Sequence, residues 1–258
     1  MIHLKNAEEL ALMRTSGALL AQVFAMLNDY IKPSISTLDI NARVEDYIVN
    51  TLNARPASKG QYDYPFTLNT SINEVVCHGM PDADDILQPG DIINCDITLE
   101  KNGFIADSSK MYCVGEVSHE AKALIDATYE AMWEAIRIVR PGAQLSEIGR
   151  RIQQYIKPLG YSIVRDYTGH GIGRKMHEDP PVFHYFEPST SVELREGMTF
   201  TIEPMINQGT HRTRSLKQSN GWTVITTRDN ALSAQWEHTI AVTKDGYEVL
   251  TLREEEKI

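Results

Sequence analysis

Two aspartates flank a predicted β-hairpin. Asp96 and Asp107 lie on either side of Asn102-Gly103, a pair that favours a tight hairpin turn. If Leu99 pairs with Phe104 across a four-residue loop, the two aspartates face each other directly, and a two-residue loop also leaves both on one face of the sheet. Their neighbours are mostly apolar, so both strands are expected to be buried. Because adjacent buried carboxylates repel each other, the pair predicts a bound metal ion.

Three further candidate ligands occur in or beside apolar strands. His170 lies between two glycines, which let the backbone approach closely and expose the imidazole ring. Glu203 and Glu237 lie in the apolar segments 198–205 and 236–242, where a charged residue needs a partner, and Pro204 interrupts the first of these strands. Together with the two aspartates, these residues offer four carboxylates and one imidazole. Such a set suits a pair of divalent ions.

The remaining histidines and the cysteines show no comparable pattern. Four histidines occur singly in polar surroundings: His3, His119, His184 and His211. His238 follows a candidate ligand and is expected on the other side of its strand. The same alternation predicts that Cys77 and His78 face opposite sides, which excludes a nucleophilic pair. The three cysteines are odd in number and are expected to be buried and reduced: Cys77, Cys95 and Cys113.

The apolar periodicity predicts four helices and several strands around these residues. Apolar side chains recur every three or four positions over residues 6–29, 37–52, 122–139 and 145–156. Pro33 and Pro141 end the first and third helices. Strands are expected at residues 74–79, 91–99, 104–114, 162–167, 198–205, 222–226, 233–242 and 248–252.

The chain also contains an internal repeat. A shift of 108 residues aligns the first two helices with the last two without a gap. The shift pairs identical residues of three types: Pro33 with Pro141, Arg43 with Arg151, and Tyr47 with Tyr155. Helical periodicity alone accounts for apolar matches, but a duplicated half better explains these three. The sequence therefore predicts one α/β catalytic domain, residues 1–258, built from halves of roughly 1–115 and 116–258.

The composition is that of an ordinary globular protein, with 42% apolar and 23% charged residues. A net charge of −10 argues against DNA binding, which requires clustered lysine and arginine. No apolar run of membrane-spanning length is expected, and the first residues lack the apolar stretch of a signal peptide. We therefore expect a cytoplasmic protein that makes no membrane contact.

Five motifs resemble, in order, the signatures of the type I methionine aminopeptidases, and the resemblance covers essentially the whole chain. The motifs are Asn73-Glu-Val-Val-Cys-His-Gly, Asn94-Cys-Asp-Ile-Thr with Asp107-Ser-Ser-Lys-Met, Gly169-His-Gly-Ile-Gly, Ile202-Glu-Pro-Met and Gln235-Trp-Glu-His-Thr-Ile. That family has the pita-bread fold, in which two pseudo-symmetric α-β halves surround a central antiparallel sheet with a dimetal site. The resemblance implies a monomeric metalloprotease, a hydrolase that removes the initiator methionine from nascent polypeptides when the second residue is small.

The resemblance also implies the ligand roles. Asp107 and Glu237 would bridge two divalent ions of manganese, iron, cobalt or zinc. Asp96 would bind one ion, and His170 and Glu203 would bind the other. A hydroxide held between the ions would attack the first peptide bond, because paired metals lower the pKa of bound water.

Three residues receive catalytic roles from the same resemblance. Glu203 would transfer a proton from the water to the leaving amine. His177 would hydrogen-bond the carbonyl oxygen of the scissile bond, and His78 would contact its amide nitrogen. In the family, backbone groups also hold a monovalent cation near the positions of Asn73, Val75 and Ser233.

The pocket for the methionine side chain departs from the usual bacterial pattern. The matching positions are Tyr64, Asn69, Met176 and Trp222. Asn69 stands where a cysteine is common, Met176 where an aromatic residue is common, and Gln61 where a tyrosine is common. These differences leave open the substrate range, the inhibitor sensitivity and whether the chain is an essential or a second copy of the enzyme.

A basic patch and two rival functions complete the sequence predictions. Arg212, Arg214 and Lys217 form either an ordinary solvated loop or a surface for transient docking to ribosomal RNA.

The first rival function is a Xaa-Pro aminopeptidase or dipeptidase of the same fold, which usually carries a large additional N-terminal domain. The second is a non-catalytic binding module, which would be expected to lose ligands. The residues do not decide which metal is physiological.

Overall fold

The computed structural model describes residues 1–218 and 221–256. Within these residues four α-helices pack on antiparallel sheets. The helices are Ala7–Tyr30 (α1), Thr37–Asp46 (α2), His119–Ile136 (α3) and Ser146–Ile156 (α4). Shorter helical turns occur at Tyr47–Thr51, Gln61–Asp63, Lys157–Leu159 and Pro188–Thr190. All four predicted helices are therefore confirmed, with ends that shift by a few residues.

Fifteen strands are formed by the described residues. In the first half they are Arg55–Pro56 (β1), Leu68–Ile72 (β2), Val75–Cys77 (β3), Ile92–Lys101 (β4) and Phe104–Cys113 (β5). The next five are Ser162–Ile163 (β6), Gly169–Gly171 (β7), Glu178–Val182 (β8), Thr199–Ile202 (β9) and Met205–Asn207 (β10). The last five are Thr213–Lys217 (β11), Thr223–Thr227 (β12), Ser233–Gln235 (β13), His238–Val242 (β14) and Tyr247–Val249 (β15).

The strands form four sheets. In the first sheet β4 pairs with β5 along one edge and with β1 and β2 along the other. A five-stranded sheet has the order β15-β14-β9-β7-β8, and two three-stranded sheets have the orders β13-β10-β6 and β11-β12-β3. Every strand pair among the described residues is antiparallel.

Helix α1 begins where the sequence provides a capping box. The side chain of Asn6 accepts a hydrogen bond from the Glu9 amide, and the Glu9 carboxylate accepts one from the Asn6 amide. The buried stripe of α1 packs on β4 and β5, and Ser16 donates a hydrogen bond to the carbonyl oxygen of Phe104. By length and composition α1 would also suffice to cross a membrane, contrary to the sequence prediction. Its packing against the sheet is that of a core helix.

Among the described residues, two apolar clusters follow the halves of the repeat and two smaller ones join residues of both halves. One cluster joins α1 and α2 to β2, β4 and β5 and ends at Val114. A second cluster joins α3 and α4 to the five-stranded sheet and draws almost all of its residues from beyond Ala121. When the residue numbers of α1 and α2 are increased by 108, as predicted, their ranges overlap those of α3 and α4. Helices α1 and α2 thus pack on the sheet of β4, whereas α3 and α4 pack on strands of two sheets, among them β13 and β9.

The hairpin between β4 and β5 has the register of the predicted two-residue loop and not that of the predicted four-residue loop. Lys101 pairs with Phe104 across the two-residue turn Asn102-Gly103, in which both residues have positive φ. Asp107 therefore lies opposite Thr98, and the direct pairing of Asp96 with Asp107 is wrong. The two aspartates are diagonal neighbours on one face, as expected for the shorter loop.

One contact between the two halves is called the seam, and it joins residues 107–109 of β5 to residues 237–239. The backbone amide of Glu237 donates to the carbonyl oxygen of Ser109, which forms an isolated bridge between β5 and the segment joining β13 to β14. One step further along the seam, the hydroxyl group of Thr239 accepts from the Asp107 amide and donates to the Asp107 carbonyl. Two candidate ligands, one from each half, therefore lie side by side.

Candidate functional site

All of the predicted site residues line one cavity of about 470 Å³ at this seam. They come from both halves: Tyr64, Asn69, His78, Asp96, Asp107, His170, Met176, His177, Glu203, Trp222 and Glu237. The sequence prediction did not include several other residues of the wall, among them Tyr62, Asp166 and Tyr167. Tyr62 lies in the helical turn Gln61–Asp63. Asp166 and Tyr167 lie in the loop after β6, which is shorter than the predicted strand at residues 162–167.

The candidate ligands cluster at the buried end of the cavity. Nε2 of His170 lies 3.7 Å from Oδ2 of Asp107 and 3.6 Å from Oε1 of Glu203. One ligand atom each from Asp107, His170 and Glu237 can be chosen so that all three lie within 4.8 Å of one another. This spacing is compatible with side chains that surround a shared cation.

The ring of His170 is fixed by its own backbone surroundings. Its Nδ1 lies 3.0 Å from the carbonyl oxygen of Gly171, so Nδ1 carries the proton and Nε2 has a free lone pair towards the acids. Gly171 must be glycine because a Cβ atom there would lie 2.1 Å from the carbonyl oxygen of Asp179. The predicted close approach of backbone beside His170 is therefore present.

Glu203 lies in the gap between β9 and β10, where the prediction placed the strand interruption. Thr201 donates a hydrogen bond of 2.7 Å to one carboxylate oxygen, and the Gln235 amide lies 3.3 Å from the other. The Glu203 amide donates to Nε2 of His184 at 3.1 Å. His184 is 2% exposed, so its predicted polar surroundings are wrong.

Burial raises the pKa values of all four carboxyl groups. The pKa of Asp96 rises to about 6 and that of Glu203 to about 8, because desolvation penalises the charged forms. The pKa values of Asp107 and Glu237 rise well above the usual range because of burial and the neighbouring acids. Burial lowers the pKa of His170 to about 4. Four acids and a neutral imidazole form a donor set that fits divalent cations, which would relieve this repulsion.

His177 lies beside His170, with ring centroids 4.4 Å apart in an edge-to-face arrangement. The ring of Tyr62 stacks on its other side at 6.1 Å, and the Tyr62 hydroxyl lies 3.4 Å from Nδ1. The loop that carries His177 is anchored by Glu178, whose carboxylate accepts from the buried ammonium group of Lys5 at 2.6 Å. This loop thus connects the cavity to the first residues of the chain.

The backbone turns sharply at His78, which has a φ of 60° just after β3. Both Cys77 and His78 therefore line the cavity, and the expectation that they face opposite sides is wrong. Burial, followed by Asp96 and Glu203, raises the pKa of the Cys77 thiol, which opposes thiolate formation. Of the three cysteines predicted to be buried, Cys77 and Cys95 are, but Cys113 is exposed.

The outer part of the cavity contains an aromatic wall. The rings of Tyr64 and Trp222 lie 4.4 Å apart, and Trp222 donates a hydrogen bond of 2.9 Å to the His78 carbonyl. Met176 also lines the cavity, and its side chain packs in a core cluster with Phe104 and Ile172. Asn69 lies directly across from Asp96 in the sheet, and a hydrogen bond from its side chain counteracts the increase in the pKa of Asp96 caused by burial. The wall can therefore accept an unbranched apolar side chain next to the acidic cluster.

This combination of fold and site defines a class of metal-dependent peptidases. The model of metallopeptidase family M24 matches residues 11–244, and the chain belongs to that family. Relatives that match over their full length indicate which kind of peptidase in the family the chain resembles. The chain is 48% identical over 257 residues to the methionine aminopeptidase of Escherichia coli (strain K12), with 100% of this chain and 96% of the relative covered.

Solved structures agree with that comparison. The crystal structure of methionine aminopeptidase from Rickettsia prowazekii is 46% identical with a TM-score of 0.93, covering 98% of this chain and 100% of that one. The methionine aminopeptidase from Thermotoga maritima is 35% identical with the same TM-score and the same coverage. The predicted resemblance and the pita-bread fold are therefore confirmed.

Proposed function

We propose that this protein is a metal-dependent aminopeptidase that removes the initiator methionine from nascent polypeptides when the second residue is small. The observation that carries the proposal is the cluster of four acids, three of them buried, and His170 in a cavity that Tyr64, Met176 and Trp222 also line. Full-length similarity to methionine aminopeptidases supports the same reaction.

The proposed ligand set uses both halves of the chain. Asp107 and Glu237 would hold both of two divalent ions, Asp96 would hold one of them, and His170 and Glu203 would hold the other. Manganese, iron, cobalt and zinc all accept such ligands. When bound, the ions make a water molecule acidic enough to be nucleophilic at neutral pH and polarise the scissile carbonyl.

Three side chains are proposed to act on the substrate. Glu203 accepts a proton from water and passes it to the leaving amine, a role that its position 3.6 Å from His170 in the acidic cluster supports. His177 donates a hydrogen bond to the carbonyl oxygen as negative charge develops there. His78 contacts the amide nitrogen of the scissile bond. Burial lowers the pKa values of both histidines, so the rings are neutral at pH 7.

The methionine side chain is proposed to bind against Tyr64, Asn69, Met176 and Trp222. Methionine adapts its shape to an irregular apolar wall, so Met176 can replace an aromatic residue. The amide group of Asn69 makes this wall more polar than one with a cysteine there.

A monovalent cation near Asn73 is part of the proposal. The Asn73 carbonyl accepts from the Ser233 amide, and Ser233 pairs with Asn207 between β13 and β10. The buried oxygen atoms Oγ of Ser233 and Oδ1 of Asn207 have no hydrogen-bond partner among the described residues. Unpaired buried oxygen atoms support a cation site at this position.

Residues 1–258 are proposed to form a single catalytic domain, with halves of roughly 1–115 and 116–258, that acts as a cytoplasmic monomer. The division of the apolar core supports these halves. The shared cavity supports their joint action, since each half contributes ligands to it.

Ribosome docking is proposed for the basic patch Arg212, Arg214 and Lys217. Strand β11 lies at the edge of its sheet, and its arginine and lysine side chains are exposed. Neutralising all three residues is expected to abolish co-sedimentation with ribosomes at low salt without changing peptide cleavage. Unchanged co-sedimentation would identify the patch as an ordinary solvated loop.

A peptide panel tests the reaction. Free methionine should be released from Met-Gly and Met-Ala peptides with added Mn²⁺ or Co²⁺, much less from Met-Leu peptides, and not after chelation. Cleavage of Ala-Pro peptides instead would favour the Xaa-Pro aminopeptidase alternative. Two bound metal ions without cleavage of any peptide would favour the binding-module alternative.

A further inference from the structure

Arg253 is a buried cation behind the acidic cluster. Its side chain is 1% exposed, and no feature of the sequence marked it. Nη2 donates to the Ser109 carbonyl at 2.7 Å, to the Ser108 hydroxyl at 2.7 Å and to the Glu237 carbonyl at 3.3 Å. One guanidinium nitrogen therefore contacts both sides of the seam.

Among the described residues, four other hydrogen bonds cross the seam at this point, two of them between the Thr239 hydroxyl group and the backbone of Asp107. The Glu237 amide donates to the Ser109 carbonyl at 3.2 Å, and the Ser108 hydroxyl donates to the Glu237 carbonyl at 2.6 Å. Asp107 directly precedes Ser108, so any separation of these groups also separates the carboxylates of Asp107 and Glu237. Their spacing consequently depends on the contacts that Arg253 provides.

Arg253 is itself held in place from behind. Nη1 donates to the Glu256 carboxylate at 3.0 Å, and the guanidinium group lies 4.6 Å from the ring centre of Phe24 in α1. The buried ring of His238 links Glu256 at 3.1 Å with the Thr251 hydroxyl at 2.9 Å. The segment 251–256 thus forms a fixed support for the guanidinium group.

We propose that Arg253 is a positioning residue for the dimetal site, which sets the spacing of Asp107 and Glu237 by clamping the strands that carry them. The inference rests on the proposed function, because it assumes that these two carboxylates share the metal ions. The forked guanidinium group lets Nη2 contact both strands while Nη1 holds Glu256, and the single nitrogen of an ammonium group cannot do both in the same way.

The test measures metal binding rather than catalysis. Mn²⁺ is titrated calorimetrically into the metal-free chain and into Arg253→Met and Arg253→Lys variants, and the Mn²⁺ pair is followed by electron paramagnetic resonance. Arg253→Met should bind the second ion at least about tenfold more weakly, the usual effect of losing a group that orients a metal ligand. Arg253→Lys should recover little, and both variants should lose the spin coupling between the two ions.

Ile152→Ala is the matched control, because Ile152 is fully buried in α4, which packs on α3 and not on the strands of the seam. It should lower the melting temperature while leaving both Mn²⁺ affinities and the spin coupling unchanged. If the Arg253 variants do not fold, Ser108→Ala removes one contact of the clamp and should weaken the second site in the same direction.

The outcomes separate the two proposals. Unchanged binding and coupling in Arg253→Met, or in Ser108→Ala where the former does not fold, would overturn the positioning role while leaving the metal site intact. Absence of an Mn²⁺ pair in the unaltered chain would overturn the proposed function and this inference together.

Discussion

At the residue scale, Glu203 combines a buried carboxyl group with a pKa raised to about 8 and hydrogen bonds from Thr201 and Gln235. Its carboxylate lies 3.6 Å from Nε2 of His170 in the acidic cluster, where it can accept a proton from a water molecule. Its replacement by an amide of the same shape separates this role from packing.

Glu203→Gln is therefore expected to lower kcat by about 100- to 10,000-fold, the usual contribution of a general acid–base group. Release of methionine from a Met-Gly peptide measures this loss, and calorimetry shows whether metal is still bound. Glu196→Gln is the control, because Glu196 is exposed and does not belong to the residues that line the cavity. Retention of more than one-tenth of kcat would remove Glu203 from the proton-transfer role.

The ligand candidates were predictable from the sequence because charged residues in apolar strands need compensation, as for Asp96, Asp107 and Glu237. His184 and Arg253 were not predictable, since their burial depends on strands far away in the chain. Periodicity reports which face a residue occupies but not which distant group will pack on it.

At the element scale, the loop between β7 and β8 depends on the first residues of the chain. Lys5 is almost fully buried, its ammonium group binds Glu178, and Gly173 has no room for a Cβ atom because Cε of Lys5 would lie 2.6 Å away. Since His177 directly precedes Glu178, this ion pair anchors the loop that carries His177.

Lys5→Met should leave the Glu178 charge without its partner and destabilise the fold by about 3 kcal/mol, the typical cost of breaking a buried pair. The kcat/KM for Met-Gly peptides should also fall, through kcat more than KM, because His177 is displaced. Lys122→Met is the control, since Lys122 forms an exposed pair with Asp126 that contributes little. Equal effects of the two substitutions on kcat would argue against the anchoring role.

Helices and long strands were predicted well because their apolar patterns are continuous. The short strands β1, β2, β8 and β11 were not predicted, since each is defined by hydrogen bonds to a partner strand rather than by its own pattern. The register of β4 and β5 followed the shorter turn because Asn102 and Gly103 both tolerate positive φ.

At the scale of the whole molecule, the buried acids oppose folding when no metal is bound. A carboxyl group whose pKa is raised on folding stabilises the fold at low pH, and this contribution is lost as the pH rises through the folded pKa. The buried histidines have lowered pKa values and act in the opposite direction, but only below their unfolded pKa of about 6.5. Between pH 6.5 and 8 the acids therefore determine how the free energy of unfolding changes with pH.

The metal-free protein should lose about 2 kcal/mol between pH 6.5 and 8 for each acid that stays protonated in the folded state. For a chain of this size that corresponds to a fall in melting temperature of roughly 5 °C. Mn²⁺ should remove the decrease, because the ions bind the deprotonated ligands. Scanning calorimetry at both pH values, with and without Mn²⁺, measures the effect. An equal melting temperature of the metal-free protein at both pH values would contradict this prediction.

Met176 has a consequence for oxidative stress. It forms part of the wall of the substrate cavity, and a thioether there can be converted to a polar sulfoxide. Peroxide treatment of the metal-free protein, followed by removal of peroxide and addition of Mn²⁺, should raise KM for Met-Gly peptides severalfold, whereas a Met176→Leu variant should resist. An equal increase in KM for the variant would assign the damage elsewhere. A methionine sulfoxide reductase should restore the original KM, so the cavity that recognises a substrate thioether would itself depend on the redox state of one.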